Sequence, residues 1–158
     1  MWVAVDPGSV RTGVAACDRG EVLASPVATL LKPEAITGVE AIVREREAVG
    51  VVVGLPISLS GAEGESARLA RLYALTLAAA LPVPVYLVDE RLTSVAAGAA
   101  LQAGGHTTRS ARRVVDQAAA AALLQGVLDA RVVSGHACGA VLDGGLGERV
   151  TPDEGGGQ

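Results

Sequence analysis

The sequence predicts an α/β domain: a mixed five-stranded sheet, three strands antiparallel and two parallel, flanked by helices. Residues 1–30 hold three β-rich apolar runs separated by short turns, which is the pattern of an antiparallel meander. Beyond them, segments of helical period alternate with short apolar runs. That order lays parallel strands side by side with helices packed across them. Half of the residues are apolar, yet there is one Trp, two Tyr and no Phe, so the core must be aliphatic.

Each element has its own signal. The opening apolar run reads as a strand ending at Asp6, and Pro7-Gly8-Ser9 reads as a turn. Thr12 to Cys17 forms the second strand, and Asp18-Arg19-Gly20 the hairpin turn. Glu21 to Leu30 forms the third, weakened by Pro26. Pro33 opens a helix, a favoured first-turn position, with Ile36, Val39, Ile42 and Val43 at helical spacing and Gly50 as its end. Val51-Val52-Val53 reads as a strand buried on both faces, followed by a loop from Gly54 to Gly64. A second helix runs from Glu65 to Leu81 with Leu69, Leu72 and Tyr73 on one side, and the next strand runs from Val83 to Val88. Thr93 or Ser94 caps a short helix to Ala103, and Gly104 to Thr108 is a linker. Ser110 caps the last long helix, which ends near Ala130. Residues 1–133 thus form one domain, and the Gly-rich residues 134–158 read as a flexible tail.

Composition excludes several functions. The formal charge is −4, from 13 basic and 17 acidic residues, so nucleic acid is not held by bulk positive charge. Four acids and one base lie in the tail, so the rest of the chain is nearly neutral. The scarcity of aromatics argues against base-stacking platforms. Lys32 is the only lysine and follows Leu31, so no Walker-type phosphate loop exists. Cys17, Cys138, His106 and His136 lack zinc-ligand spacing. No apolar stretch is long enough to span a membrane, and no signal peptide is seen, so the expected location is the cytoplasm without a membrane partner.

Three carboxylates stand at telling positions. Asp6 ends the first strand and Glu90 follows a parallel strand; ligands in open α/β sheets bind beyond such strand ends. Asp116 shares a helical stripe with Arg112, Ala120, Leu123 and Val127, which turns it toward the sheet. Read singly, each has an ordinary structural explanation, including a favourable first-turn acid for Asp116. Brought together, they repel one another unless they are protonated or neutralised by a cation. Oxygen-only ligands suit Mg²⁺ or Mn²⁺, and paired hard cations are the equipment of phosphodiester hydrolysis. Gly8 and Gly54-Leu55-Pro56 could admit a phosphate, and Arg109, Arg112 and Arg113 form the densest basic cluster, placed where cations oppose the helix dipole.

These segments resemble a known family. Val5-Asp6-Pro7-Gly8-Ser9-Val10-Arg11-Thr12-Gly13, Val53-Gly54-Leu55-Pro56, Val88-Asp89-Glu90-Arg91-Leu92-Thr93 and Val115-Asp116-Gln117-Ala118, continuing to Leu123-Leu124-Gln125, are similar in order to the motifs of the bacterial YqgF-type pre-16S rRNA nuclease, or Holliday junction resolvase-like, family. The resemblance covers residues 1 to about 130. It implies an RNase H-like fold and a cytoplasmic two-metal nuclease, using two Mg²⁺ or Mn²⁺ ions, that helps mature the 5′ end of pre-16S rRNA. Asp6, Glu90 and Asp116 would be the catalytic metal ligands. Gly8, Arg11, Gly54, Pro56, Arg91, Thr93, Arg109, Arg112 and Arg113 would contact nucleic acid, whether pre-rRNA, single-stranded RNA or branched DNA. True junction resolvases carry a further acid on the last helix, and residues 117–125 contain none. Junction cutting would call for a homodimer, since two symmetric strands must be cut. An ATP-binding relative of the sugar-kinase kind is disfavoured, because such proteins need two domains of this type around the nucleotide.

Overall fold

The structure, a computed structural model, describes residues 1–57, 60, 63–90, 108–134 and 148–151, and for 108–116, 132–134 and 148 the backbone only. Strands β1 (Trp2–Pro7), β2 (Arg11–Cys17) and β3 (Ala24–Leu31) come first. A 3-10 turn, Lys32–Glu34, leads into α1 (Ala35–Glu45). Then follow β4 (Gly50–Leu55), α2 (Glu65–Ala80), β5 (Val85–Asp89), α3 (Thr108–Ser134) and β6 (Glu148–Val150). The short helix expected up to Ala103 and the linker after it lie outside the described residues, save Thr108, which already belongs to α3.

The sheet order is β3-β2-β1-β4-β5-β6. The β1–β2 and β2–β3 pairs are antiparallel, and the β1–β4 and β4–β5 pairs are parallel, as the element order implies. Among the described residues the sheet has six strands rather than the expected five. The sixth comes from within residues 134–158: β6 runs antiparallel to β5, with Val85 opposite Val150 and Leu87 opposite Glu148. Three residues, Glu148-Arg149-Val150, are too few to show a period of two in the sequence. The open edge of β5 gives them their hydrogen-bonding partner.

Strand alternation sorts the core into two layers. Val3, Val5, Val51, Val53, Val85 and Leu87 face α1 and α2. Trp2, Ala4, Val52, Tyr86 and Val88 face Leu123, Leu124, Val127 and Leu128 of α3. The central strands are therefore apolar on both sides, which is why residues 51–53 form an unbroken valine run. Gln125 ties α3 to the meander: its Oε1 accepts from the Ala24 N–H and its Nε2 donates to the Val22 carbonyl, both at 2.9 Å. Arg131, 3% exposed, lies 5.1 Å from the Trp2 ring centroid and 3.5 Å from the Glu21 carboxylate.

The end of α1 differs from expectation, and the structure settles which side of α2 faces inward. Glu47, not Gly50, ends α1: it takes a left-handed φ of 53°, and the Ala48 N–H donates to the Val43 carbonyl at 3.0 Å. Gly50 instead begins β4, where any Cβ would collide with the Trp2 ring. In α2 the inward stripe is Ala67, Ala70, Ala74 and Leu77, whereas Leu69 and Leu72 are 45% and 48% exposed. Small residues let α2 lie close on the valines of the sheet, and helical period alone cannot choose between two apolar stripes.

Gly50→Ala is expected to cost about 1–3 kcal/mol through overpacking against Trp2. Chemical denaturation followed by the fluorescence of this single tryptophan measures the loss.

Candidate active site

The parallel strands β1, β4 and β5 end at one edge of the sheet. After β1 the chain turns away to β2, while β4 lies on the other side of β1, so this edge contains the topological switch point. Asp6 is the penultimate residue of β1, and Glu90 directly follows β5. By alternation both project on the α3 side of the sheet, Asp6 with Trp2 and Ala4, Glu90 with Tyr86 and Val88.

Strand β4 runs between them. Val5 pairs with Val53, and Gly54 pairs with Val88, so Gly54 occupies the place between the two acids. A Cβ on Gly54 would stand 2.7 Å from Glu90 Oε1. The two carboxyl groups therefore meet across bare backbone, with their side chains hydrogen-bonded to each other.

A hydrogen bond between carboxyl groups requires a proton. Burial pushes Glu90 up to about 8, and the bond to Asp6 together with the negative charges of Asp6 and Asp89 adds to the rise. Burial also raises Asp6, while its hydrogen bond with Glu90 acts the other way. Both acids are thus held above the ordinary carboxylate range, and the directions put the shared proton on Glu90. The donor set is all hard oxygen and half-buried, and its mutual repulsion is relieved by a proton or by a divalent cation. It fits Mg²⁺ or Mn²⁺ and does not suit zinc. Among the described residues no third His, Cys, Asp or Glu joins the pair.

The remaining predicted site residues fall into three groups. Asp116 lies in α3, the helix that covers the same face, four residues before the buried Ala120; its side chain is outside the described residues. Arg109, Arg112 and Arg113 are in the first turns of α3, also with side chains outside, and Arg91 and Thr93 lie wholly outside. Gly8 closes the turn after β1: its N–H donates to the Arg11 carbonyl at 2.8 Å, and a Cβ there would stand 2.5 Å from that oxygen. Arg11 begins β2 and is partly buried. Pro56 follows β4 and lines a cavity on the opposite face of the sheet. Sequence reasoning missed that cavity, which is also walled by Thr12, Leu72 and Tyr73, because helical period puts Leu69, Leu72 and Tyr73 on one side of α2 without saying what that side faces.

A mixed sheet of this order, with paired acids at its switch point, has the RNase H-like fold, and the comparisons place it in a nuclease class. The sequence profile of the RuvX family, described as Holliday junction resolvase, matches residues 1–130. A relative from Kineococcus radiotolerans, named "Putative pre-16S rRNA nuclease", is 49% identical over 152 residues, covering 93% of this chain and 80% of its own. A relative of the same name from Thermobifida fusca is 50% identical over 136 residues, covering 80% and 86%. Among solved structures, T. thermophilus RuvC in complex with a Holliday junction substrate superposes with a TM-score of 0.52 at 17% identity, covering 85% of this chain and 98% of that one. This likeness establishes the fold. The chain belongs to the RuvX family.

The raised acids carry a stability signature. Glu90 binds its proton more tightly in the folded chain than in the unfolded one, so its contribution is complete below its ordinary pKa of 4.5 and is lost as the pH rises through about 8. With EDTA present, the melting temperature is expected to fall between pH 5 and pH 9, and Glu90→Gln should flatten that slope. Calorimetric melts across this range measure both.

Proposed function

We propose that the chain is a divalent-metal-dependent nuclease that hydrolyses phosphodiester bonds in the 5′-end maturation of pre-16S rRNA. The observation that carries this reading is the Asp6–Glu90 pair meeting over Gly54 at the switch-point edge. The names of the curated relatives support pre-16S rRNA as the substrate.

Asp6 and Glu90, joined by Asp116 from α3, would hold Mg²⁺ or Mn²⁺. Two such ions, when bound, supply an activated water on one side of the phosphorus and stabilisation of the leaving oxygen on the other. Asp6, on an inner strand, would be the ligand shared by both. To hold a cation, Glu90 would first release its proton to solvent. Arg109, Arg112 and Arg113, in the first turns of α3, would supply the contact to the phosphate backbone, which on a nearly neutral domain is local rather than steered by bulk charge.

Cleavage of Holliday junctions is the second reading, favoured by the description of the matching family. It requires a homodimer, because two symmetric strands must be cut. The lack of any acid in residues 117–125, where true resolvases carry one, favours the rRNA reading.

Cleavage of a pre-16S rRNA fragment and of a four-way junction, assayed side by side with Mn²⁺ or Mg²⁺, separates the two. The rRNA fragment is expected to be cut, with EDTA abolishing cleavage and Asp6→Asn, Glu90→Gln and Asp116→Asn each lowering the rate by about a hundredfold or more. A wild-type rate in Asp6→Asn would refute the mechanism.

A further inference from the structure

The cavity on the α2 side of the sheet has no part in the carboxylate pair, yet it opens from the same loop. Its wall begins at Pro7 and Gly8, immediately after Asp6, and continues to Pro56, which follows β4 on the same edge. Its volume is about 290 Å³, at the lower end of the range for small-ligand pockets.

The lining has two chemistries. Pro7, Pro56, Leu72 and Tyr73 supply apolar walls, and Ser9, Ser66 and Thr76 supply hydroxyl groups. A nucleobase presents the matching surfaces: two apolar faces and a polar edge that hydroxyl groups can read. Lys32, the only lysine of the chain, stands at the rim, exposed and in no ion pair with a described residue. A peptide side chain would use the apolar walls but not a cation that pairs with no described residue beside hydroxyl groups. A nucleotide uses all three.

We propose that this cavity is a nucleotide subsite: it takes one unstacked base of the substrate strand next to the reacting edge, and Lys32 meets the phosphate of that nucleotide. The proposal rests on the nuclease reading and extends it. The substrate strand would pass over the Pro7-Gly8 turn, with its cut phosphate on the α3 side of the sheet and a flanking base on the α2 side. This makes the enzyme selective for unpaired strands, since a paired base cannot enter.

Abasic scanning tests it. A short single-stranded RNA, and DNA of the same sequence, is bound to the Asp6→Asn chain so that it is not cut. Binding is read by fluorescence anisotropy, with an abasic residue placed at each position in turn. One position is expected to weaken binding by roughly fivefold or more in at least one strand chemistry. In Leu72→Trp or Ser66→Trp, which fill the cavity from exposed positions, that penalty should vanish, and Lys32→Gln should make the salt dependence shallower by about one phosphate contact. Thermal melts confirm that each variant is folded. A flat scan, or a penalty that survives in a folded filled variant, overturns the subsite while leaving the nuclease reading intact. If neither strand binds and wild type cuts no nucleic acid, both readings fail.

Discussion

Two carboxyl groups share a half-buried edge only when a proton or a cation stands between them and nothing else fills the space. In this chain the space is provided by position 54. Strand β4 separates the strand that carries Asp6 from the strand that precedes Glu90, and any side chain there would push Glu90 aside. The rest of the fold serves that meeting. The valine-rich layers of β1, β4 and β5 hold the three strand ends level, and α3 covers the face on which both acids project.

The meander explains why Asp6 lies at the centre rather than at a margin. Because β2 and β3 extend the sheet on one side and β4 and β5 on the other, β1 is an inner strand with both edges paired. Up to Val5 it is paired on both sides, Asp6 and Pro7 pair on with β2, and the turn after it is closed by the Gly8-to-Arg11 bond. Gln125 and Arg131 fasten α3 to this same half of the sheet. A residue in a family motif, Gln125, thus acts by holding the meander and α3 together.

Much of this was legible in the residues. The valine run at 51–53 marked a doubly buried strand, and Asp6 and Glu90 stood out because each closes a strand at the edge where ligands bind. The role of Gly54 was only half visible: its lack of a side chain suggested room for a phosphate, whereas the atom that uses the room is Glu90 Oε1. Other features could not be read, for physical reasons. The end of α1 rests on a glutamate in a left-handed conformation, which sequence patterns assign to glycine. Strand β6 is too short for a periodic signal and depends on the open edge of β5. The alanine stripe of α2 packs inward because small residues allow close approach to the sheet, which leaves the leucines to wall the cavity on the α2 side.

The claim on which everything else rests is that the bare backbone at position 54 lets Asp6 and Glu90 act as one cation-holding unit. Titration of Mn²⁺ into wild type and Gly54→Ala, followed by the electron paramagnetic resonance signal of the free ion, tests it without recourse to activity. Wild type is expected to bind Mn²⁺, and Gly54→Ala, still folded by thermal melt, to bind it about tenfold or more weakly. Equal binding by the two chains would contradict the claim.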